Sequence, residues 1–137
     1  MTTNGINYIN YNMNLNQITV PALNVAEAII FYKTLGLKLI VESLPHYARF
    51  VCPDGHSTFS IHQTKQLAQG EGIFVYFECK NLDEQVDKLK QKGLIFDLEP
   101  TDQRWLWREA RLKDPFNNQI ILYYAGENRI NPPWRIS

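Results

Sequence analysis

The chain has 137 residues, 45% hydrophobic and 20% charged, which is enough apolar content for one packed domain. Fourteen Lys and Arg balance fourteen Asp and Glu, so the net charge draws the chain toward neither nucleic acid nor an anionic membrane. No apolar run reaches bilayer-spanning length, and the opening MTTNGINYINYNMN has neither the basic nor the apolar part of a signal peptide. Cys52 and Cys79 stand far apart with no CxxC, so we expect a cytoplasmic protein with reduced thiols.

In chain order, Ile9, Tyr11 and Met13 alternate within residues 5–14, as either an edge strand or a flexible arm. NQITV at 16–20 predicts a strand. Asn24 with Glu27 three residues on predicts a capped helix start, and Val25, Ile29 and Tyr32 give that helix one buried face. Gly36 ends it in a left-handed residue, and LKLIVE then extends. YARFVCPDGHSTFSIHQ at 47–63 predicts two strands around a Pro-Asp-Gly turn. IFVYFEC at 73–79 is a further strand. A second helix opens at Asn81 with Glu84 and stops at Gly93, before the extended LIFDLEP. LWREARLKDPFNNQIILYY at 106–124 predicts two strands around a turn in which Asn117 takes the left-handed conformation. In the tail AGENRINPPWRIS, Asn-Pro-Pro blocks a helix, and Trp134 is expected to pack on the fold or on a partner chain.

The second half of this series repeats the first. Asn24 and Asn81, Glu27 and Glu84, Lys33 and Lys90, Gly36 and Gly93, and Leu37 and Leu94 are each 57 residues apart. Arg49 meets Arg111 at an offset of 62, and Ser60 meets Ile121 at 61. A shared cap, core face, glycine stop and turn in the same order predict an α+β fold built as β-α-β-β-β, twice. We place module one at about 15–63, module two at about 72–124 and a tail at 125–137 of a single domain.

This plan resembles the vicinal oxygen chelate superfamily: the glyoxalase, bleomycin-resistance and extradiol-dioxygenase proteins. The segments NQITVPALNVAEAIIFYKTLGLKLI, FVYFECKNLDEQVDKLKQKG and WREARLKDPFNNQIILY carry the resemblance over roughly residues 15–124. Phe116 and Asn117 replace the Asp and Gly usual in the family's closing turn. The resemblance implies an open, U-shaped eight-stranded barrel with helices outside, a small-molecule pocket and a homodimer. It also implies four metal positions, which fall here on Gln17, Ser60, Phe74 and Ile121. Phe74 and Ile121 have no lone pairs for a cation, Gln17 is a weak ligand alone and Ser60 a poor one.

Strand alternation assigns Ile18, Val20, Val75, Phe77, Ile120 and Leu122 to the helix side. The opposite, concave face receives Gln17, Thr19, Tyr47, Arg49, Thr58, Ser60 and His62 from module one. From module two it receives Phe74, Tyr76, Glu78, Trp105, Trp107, Glu109, Arg111, Ile121 and Tyr123. That aromatic face with a few polar groups suits a small planar or anionic ligand. Several assignments stay open. His62 is a base, a displaced metal ligand or a surface group. Arg49 and Arg111 hold an anion, or pair with Glu78 and Glu109. Trp105 and Trp107 stack on ligand, or pack in the core or a dimer. Tyr76 and Tyr123 donate protons, or fill the pocket. His46 and His56 read as loop residues without a role.

We expect a binding protein of the bleomycin-resistance kind with no cofactor. The alternative is a lyase, isomerase or dioxygenase with His62 and Glu109 as catalytic candidates, in which Gln17, His62 and Glu109 hold Zn, Ni, Mn or Fe. A third reading, a purely structural module, requires a filled barrel.

Overall fold

The computed structural model describes residues 2–3, 6–7 and 12–136. Two short strands, β1 (Thr2–Thr3) and β2 (Ile6–Asn7), pair with each other. Ile9 and Tyr11 lie outside the described residues, and Met13 is exposed.

Module one runs β3 (Gln17–Ala22), α1 (Val25–Leu35), β4 (Lys38–Ser43), β5 (Tyr47–Val51) and β6 (Thr58–Gln63). Its sheet order is β3-β6-β5-β4, with β3 and β6 parallel and the other pairs antiparallel. Module two repeats this as β7 (Phe74–Glu78), α2 (Leu82–Gln91), β8 (Leu98–Asp102), β9 (Arg108–Lys113) and β10 (Gln119–Tyr124), in the order β7-β10-β9-β8. The doubled β-α-β-β-β plan is therefore the observed one. Pro21 and Pro100 fall in β3 and β8, both edge strands of their sheets, where a missing N–H does the ladder least harm.

Local chemistry explains the boundaries. The Asn24 side chain accepts from the Glu27 N–H at 3.0 Å and opens α1. Gly36, at φ +116°, closes it with its N–H on the Tyr32 and Lys33 carbonyls. The second helix departs from its repeat: Asn81 makes no side-chain cap bond, and Asp83 and Glu84 supply the negative charge of the first turn. The extended segment expected from residue 94 begins as a strand only at Leu98, and its pairing with β9 shifts register before Thr101. β9 starts at Arg108, so Trp105 and Trp107 precede the strand, in and after a tight turn closed by Leu106 N–H on the Gln103 carbonyl. Asn117 takes φ +65°, as its residue type allows.

One apolar core joins the modules on the helix side. It contains Val20, Tyr32, Phe50, Phe59 and Ile61 of module one with Val75, Val86, Leu112, Ile120 and Leu122 of module two. Phe59 and Phe77 meet across the modules with ring centroids 5.8 Å apart. Two polar bonds pin the same seam: Tyr32 donates its hydroxyl to buried Asp114 at 2.6 Å, and Asn118 Nδ2 donates to the Pro21 carbonyl at 2.9 Å. After β10 a 3-10 turn spans Gly126–Arg129. The tail does not bury Trp134, which is 56% exposed, so the expected packing on the fold does not occur within this chain. Among the described residues no helix is long and apolar enough to cross a membrane.

Two stability predictions follow from these contacts. Asn24→Ala should cost about 1 kcal/mol in urea unfolding, and Asn81→Ala, with no side-chain bond to lose, should cost clearly less. Tyr32→Phe removes one donor from a buried carboxylate and should cost about 1–3 kcal/mol by the same measurement.

Candidate functional site

In module one, parallel pairing sets Gln17 opposite Thr58 and Thr19 opposite Ser60, while antiparallel pairing sets Arg49 opposite Ser60. Alternation then gathers a polar row on the face away from α1. Gln17 Nε2 donates to Ser60 Oγ at 2.7 Å and to the Ile18 carbonyl at 3.2 Å. The Thr58 hydroxyl donates to Gln17 Oε1. Ser60 Oγ lies 2.6 Å from the Tyr47 hydroxyl, and Arg49 Nε donates to that hydroxyl at 2.9 Å. Ser60 is fully buried, whereas Gln17 and Arg49 are exposed. His62 stands exposed toward the end of β6.

In module two the same face is aromatic. Trp107 and Tyr123 stack with centroids 4.7 Å apart at 25°, and Tyr76 meets both edge-on at 5.7 and 5.4 Å. Ile121, Tyr123 and Ala125 form a second apolar cluster with Phe74 and Trp107. Burial pushes the Tyr76 and Tyr123 hydroxyls above their ordinary ionisation range, helped by the charges of Glu109 and Glu78 respectively. Both stay protonated at neutral pH.

Beside the rings sits a closed ionic group. Glu109 is fully buried and accepts from Trp105 Nε1 at 2.9 Å and from Arg111 Nη2 at 2.8 Å. The Arg111 guanidinium also lies 5.6 Å from the centroid of the Phe74 ring. Of the two readings of the arginines, Arg111 takes the internal salt bridge, while Arg49 pairs with the Tyr47 hydroxyl and, among the described residues, with no carboxylate. Glu78 accepts from the Ala125 and Gly126 N–H groups and lies 3.9 Å from Arg129. Trp107 Nε1 donates to the Asn128 carbonyl, which ties the 3-10 turn to the face.

A cleft of about 390 Å³ lies between the modules. Gln17 and Thr58 reach it from module one, and Tyr76 and Glu78 from module two. Its inner wall is helix-side: Ile18, Leu35, Phe59, Phe77 and Leu122, with both thiols, Cys52 and Cys79. Burial, with the Glu78 charge beside it, pushes the Cys79 thiol up to about 11. Of the residues expected to bind ligand, only Gln17 and Tyr76 line this cleft. Arg49, Ser60, His62, Phe74, Trp105, Trp107, Glu109, Arg111, Ile121 and Tyr123 do not line it. The helix-side wall and the thiols were not expected, because only the apposition of two modules creates them. Tyr47 shares its face with Arg49, as alternation assigned it.

The residues present do not fit a divalent metal. Of the four positions implied by resemblance, Gln17 and Ser60 are bonded to each other, and Phe74 and Ile121 belong to the apolar cluster. The set Gln17, His62 and Glu109 does not converge. His62 pairs with Pro21 while Gln17 pairs with Thr58, about 13 Å away along the strands, and Glu109 is enclosed on the other sheet. Among the described residues no group of three or more His, Cys, Asp or Glu could hold an ion.

The Glu109–Arg111 pair predicts an asymmetry in unfolding free energy. Arg111→Met strands a buried carboxylate and should cost about 3 kcal/mol. Glu109→Gln still accepts from Trp105 and leaves an arginine with access to water, so it should cost about 1 kcal/mol.

Comparison with known proteins places this geometry. The family model for the glyoxalase/bleomycin resistance protein/dioxygenase superfamily matches residues 14–122. A glyoxalase/bleomycin resistance protein/dioxygenase from Nocardioides is similar in fold, with a TM-score of 0.72, 17% identity, and coverage of 91% of this chain and 90% of that one. A bleomycin-binding protein complexed with bleomycin gives 0.68, 16%, 82% and 98%. A lactoylglutathione lyase from Agrobacterium tumefaciens gives 0.68, 14%, 86% and 96%. A comparison with curated proteins gives no match. The chain belongs to the glyoxalase/bleomycin resistance protein/dioxygenase superfamily.

Proposed function

We propose that this protein binds a small planar, aromatic or anionic molecule where the cleft meets the two faces, without the divalent metal used elsewhere in the superfamily. The observation that carries this reading is Tyr76. It is 40% exposed, held edge-on by Trp107 and Tyr123, and it lines the cleft shared with Gln17 and Thr58. A ring held in place by its neighbours loses little freedom when a ligand docks against it. The cleft volume lies in the range of small-molecule sites. The similar bleomycin-binding protein, solved with bleomycin, is consistent with a ligand-holding role for the fold.

The proposed partner chain is a second copy of the protein. Supporting it is the exposed apolar tail, with Ile130 at 54%, Trp134 at 56% and Ile136 at 88%.

Titration with 1-naphthoate, read as quenching of tryptophan emission, tests the binding reading. Saturable binding that EDTA leaves unchanged is expected, and Tyr76→Ala should weaken it about tenfold. Binding or turnover that is abolished by EDTA and restored by Zn, Ni, Mn or Fe would instead establish the metal-dependent lyase or dioxygenase. Sedimentation velocity of the wild type and Trp134→Ser checks the dimer: a dimer that Trp134→Ser weakens is expected, and a monomeric wild type would refute it.

A further inference from the structure

The hydrogen bonds of the polar row have a forced direction. The Ile18 carbonyl accepts from the Gln17 amide, so the nitrogen of that amide, and not its oxygen, faces Ser60. Ser60 Oγ therefore accepts from Gln17 and still has its own proton to place. The residue is fully buried, and among the described residues its remaining partner is the Tyr47 hydroxyl at 2.6 Å. A buried hydroxyl proton without an acceptor is costly, so Ser60 donates to Tyr47. Arg49 Nε donates to the same phenolic oxygen. Both acceptor positions of Tyr47 are thus filled from its own sheet, and its proton points away from both donors. Among the described residues Arg49 uses only Nε in hydrogen bonds, so both Nη groups remain for a ligand.

We propose that Tyr47 and Arg49 form an oxyanion-binding site: the phenolic O–H and the Arg49 Nη groups together bind a carboxylate, enolate or phenolate oxygen of the ligand. This rests on, and deepens, the reading of the cleft and its faces as a small-molecule site. A phenol that accepts two hydrogen bonds, one from a guanidinium, is a stronger donor than a free one. Burial works to raise the ionisation of Tyr47, yet the bonds from Ser60 and Arg49 and the guanidinium charge outweigh it and hold the phenol below its ordinary range. Ser60 and Gln17 act as positioning residues, because they set the direction of the bonds without meeting the ligand oxygen. Two of the positions that carry metal ligands elsewhere in the superfamily would here orient a proton donor.

Two probes separate this inference from the broader one. Benzoate and benzamide share a ring and differ in charge. Calorimetric titration should find benzoate about tenfold tighter, with the preference lost in Tyr47→Phe and in Arg49→Met. Acetate has no ring and tests the donors alone. In spectrophotometric titration at 295 nm, one tyrosine should ionise below the rest and be missing in Tyr47→Phe. Acetate should move that transition upward, because the bound anion needs the phenolic proton. An acetate shift with benzoate bound no more tightly than acetate keeps the oxyanion site and removes the aromatic one. A charge preference that survives both substitutions, or the absence of both the preference and the acetate shift, overturns the proposal.

Discussion

The buried carboxylate of Asp114 holds the two modules in register. It accepts four hydrogen bonds: from the Tyr32 hydroxyl at 2.6 Å, the Phe116 N–H at 2.8 Å, the Asn118 N–H at 2.9 Å and Asn118 Nδ2 at 2.8 Å. A charge taken out of water persists only when its lone pairs are met in this way. Burial, the Asp114 charge and their shared bond raise the ionisation of Tyr32 far above the ordinary phenol range, so it remains a donor. Three of these bonds build the turn between β9 and β10, while the fourth comes from α1 of the other module. Asn118 extends the link to the Pro21 carbonyl at the far end of β3. The seam is thus pinned where β3 ends and β10 begins, and the cleft opens where β3 begins and β7 ends.

On the faces turned away from the helices, the modules have diverged from their common plan. Module one has a row of hydroxyls, an amide and a guanidinium that bond to one another and leave donor capacity outward. Module two has stacked rings and a carboxylate enclosed by Trp105 and Arg111. Leu106 sits between the two tryptophans at φ +68°, a conformation that costs a non-glycine residue about 1 kcal/mol. The turn it makes leaves Trp105 bonded to Glu109 and Trp107 stacked on Tyr123. This local strain is held by contacts on both sides, and it fixes the aromatic face that borders the cleft.

These arrangements alter what individual side chains can do. Glu109 is a natural candidate for proton transfer by residue type, yet both of its oxygens are engaged and water cannot reach it. Arg111, a natural anion clamp, is neutralised by the same pair and lies against Phe74. Arg49 has the same place in the repeat and, among the described residues, no carboxylate partner. Equivalent positions in a duplicated fold thus differ through one neighbour: Arg111 is paired with Glu109 in module two, and Arg49 bonds to the Tyr47 hydroxyl in module one.

The amino-acid sequence by itself determined the doubled β-α-β-β-β plan, because each signal for it is local. The Asn24 cap, the stops at Gly36 and Gly93, the left-handed Asn117 and the alternation of the strands act within a few residues of chain. Alternation also assigned Ile18, Val20, Val75, Phe77, Ile120 and Leu122 to the helix side, where the core holds them. It could not settle which groups consume one another, since that depends on partners brought together from different strands. Glu109 closing on Trp105 and Arg111, the separation of His62 from Gln17, and the direction of the bond from Ser60 to Tyr47 are of this kind. So is the cleft, whose wall of Ile18, Leu35, Cys52, Phe77 and Cys79 joins two modules that pattern reading treats separately. Only the tertiary structure decided these, because hydrogen-bond satisfaction and cavity shape depend on distances between residues far apart along the chain.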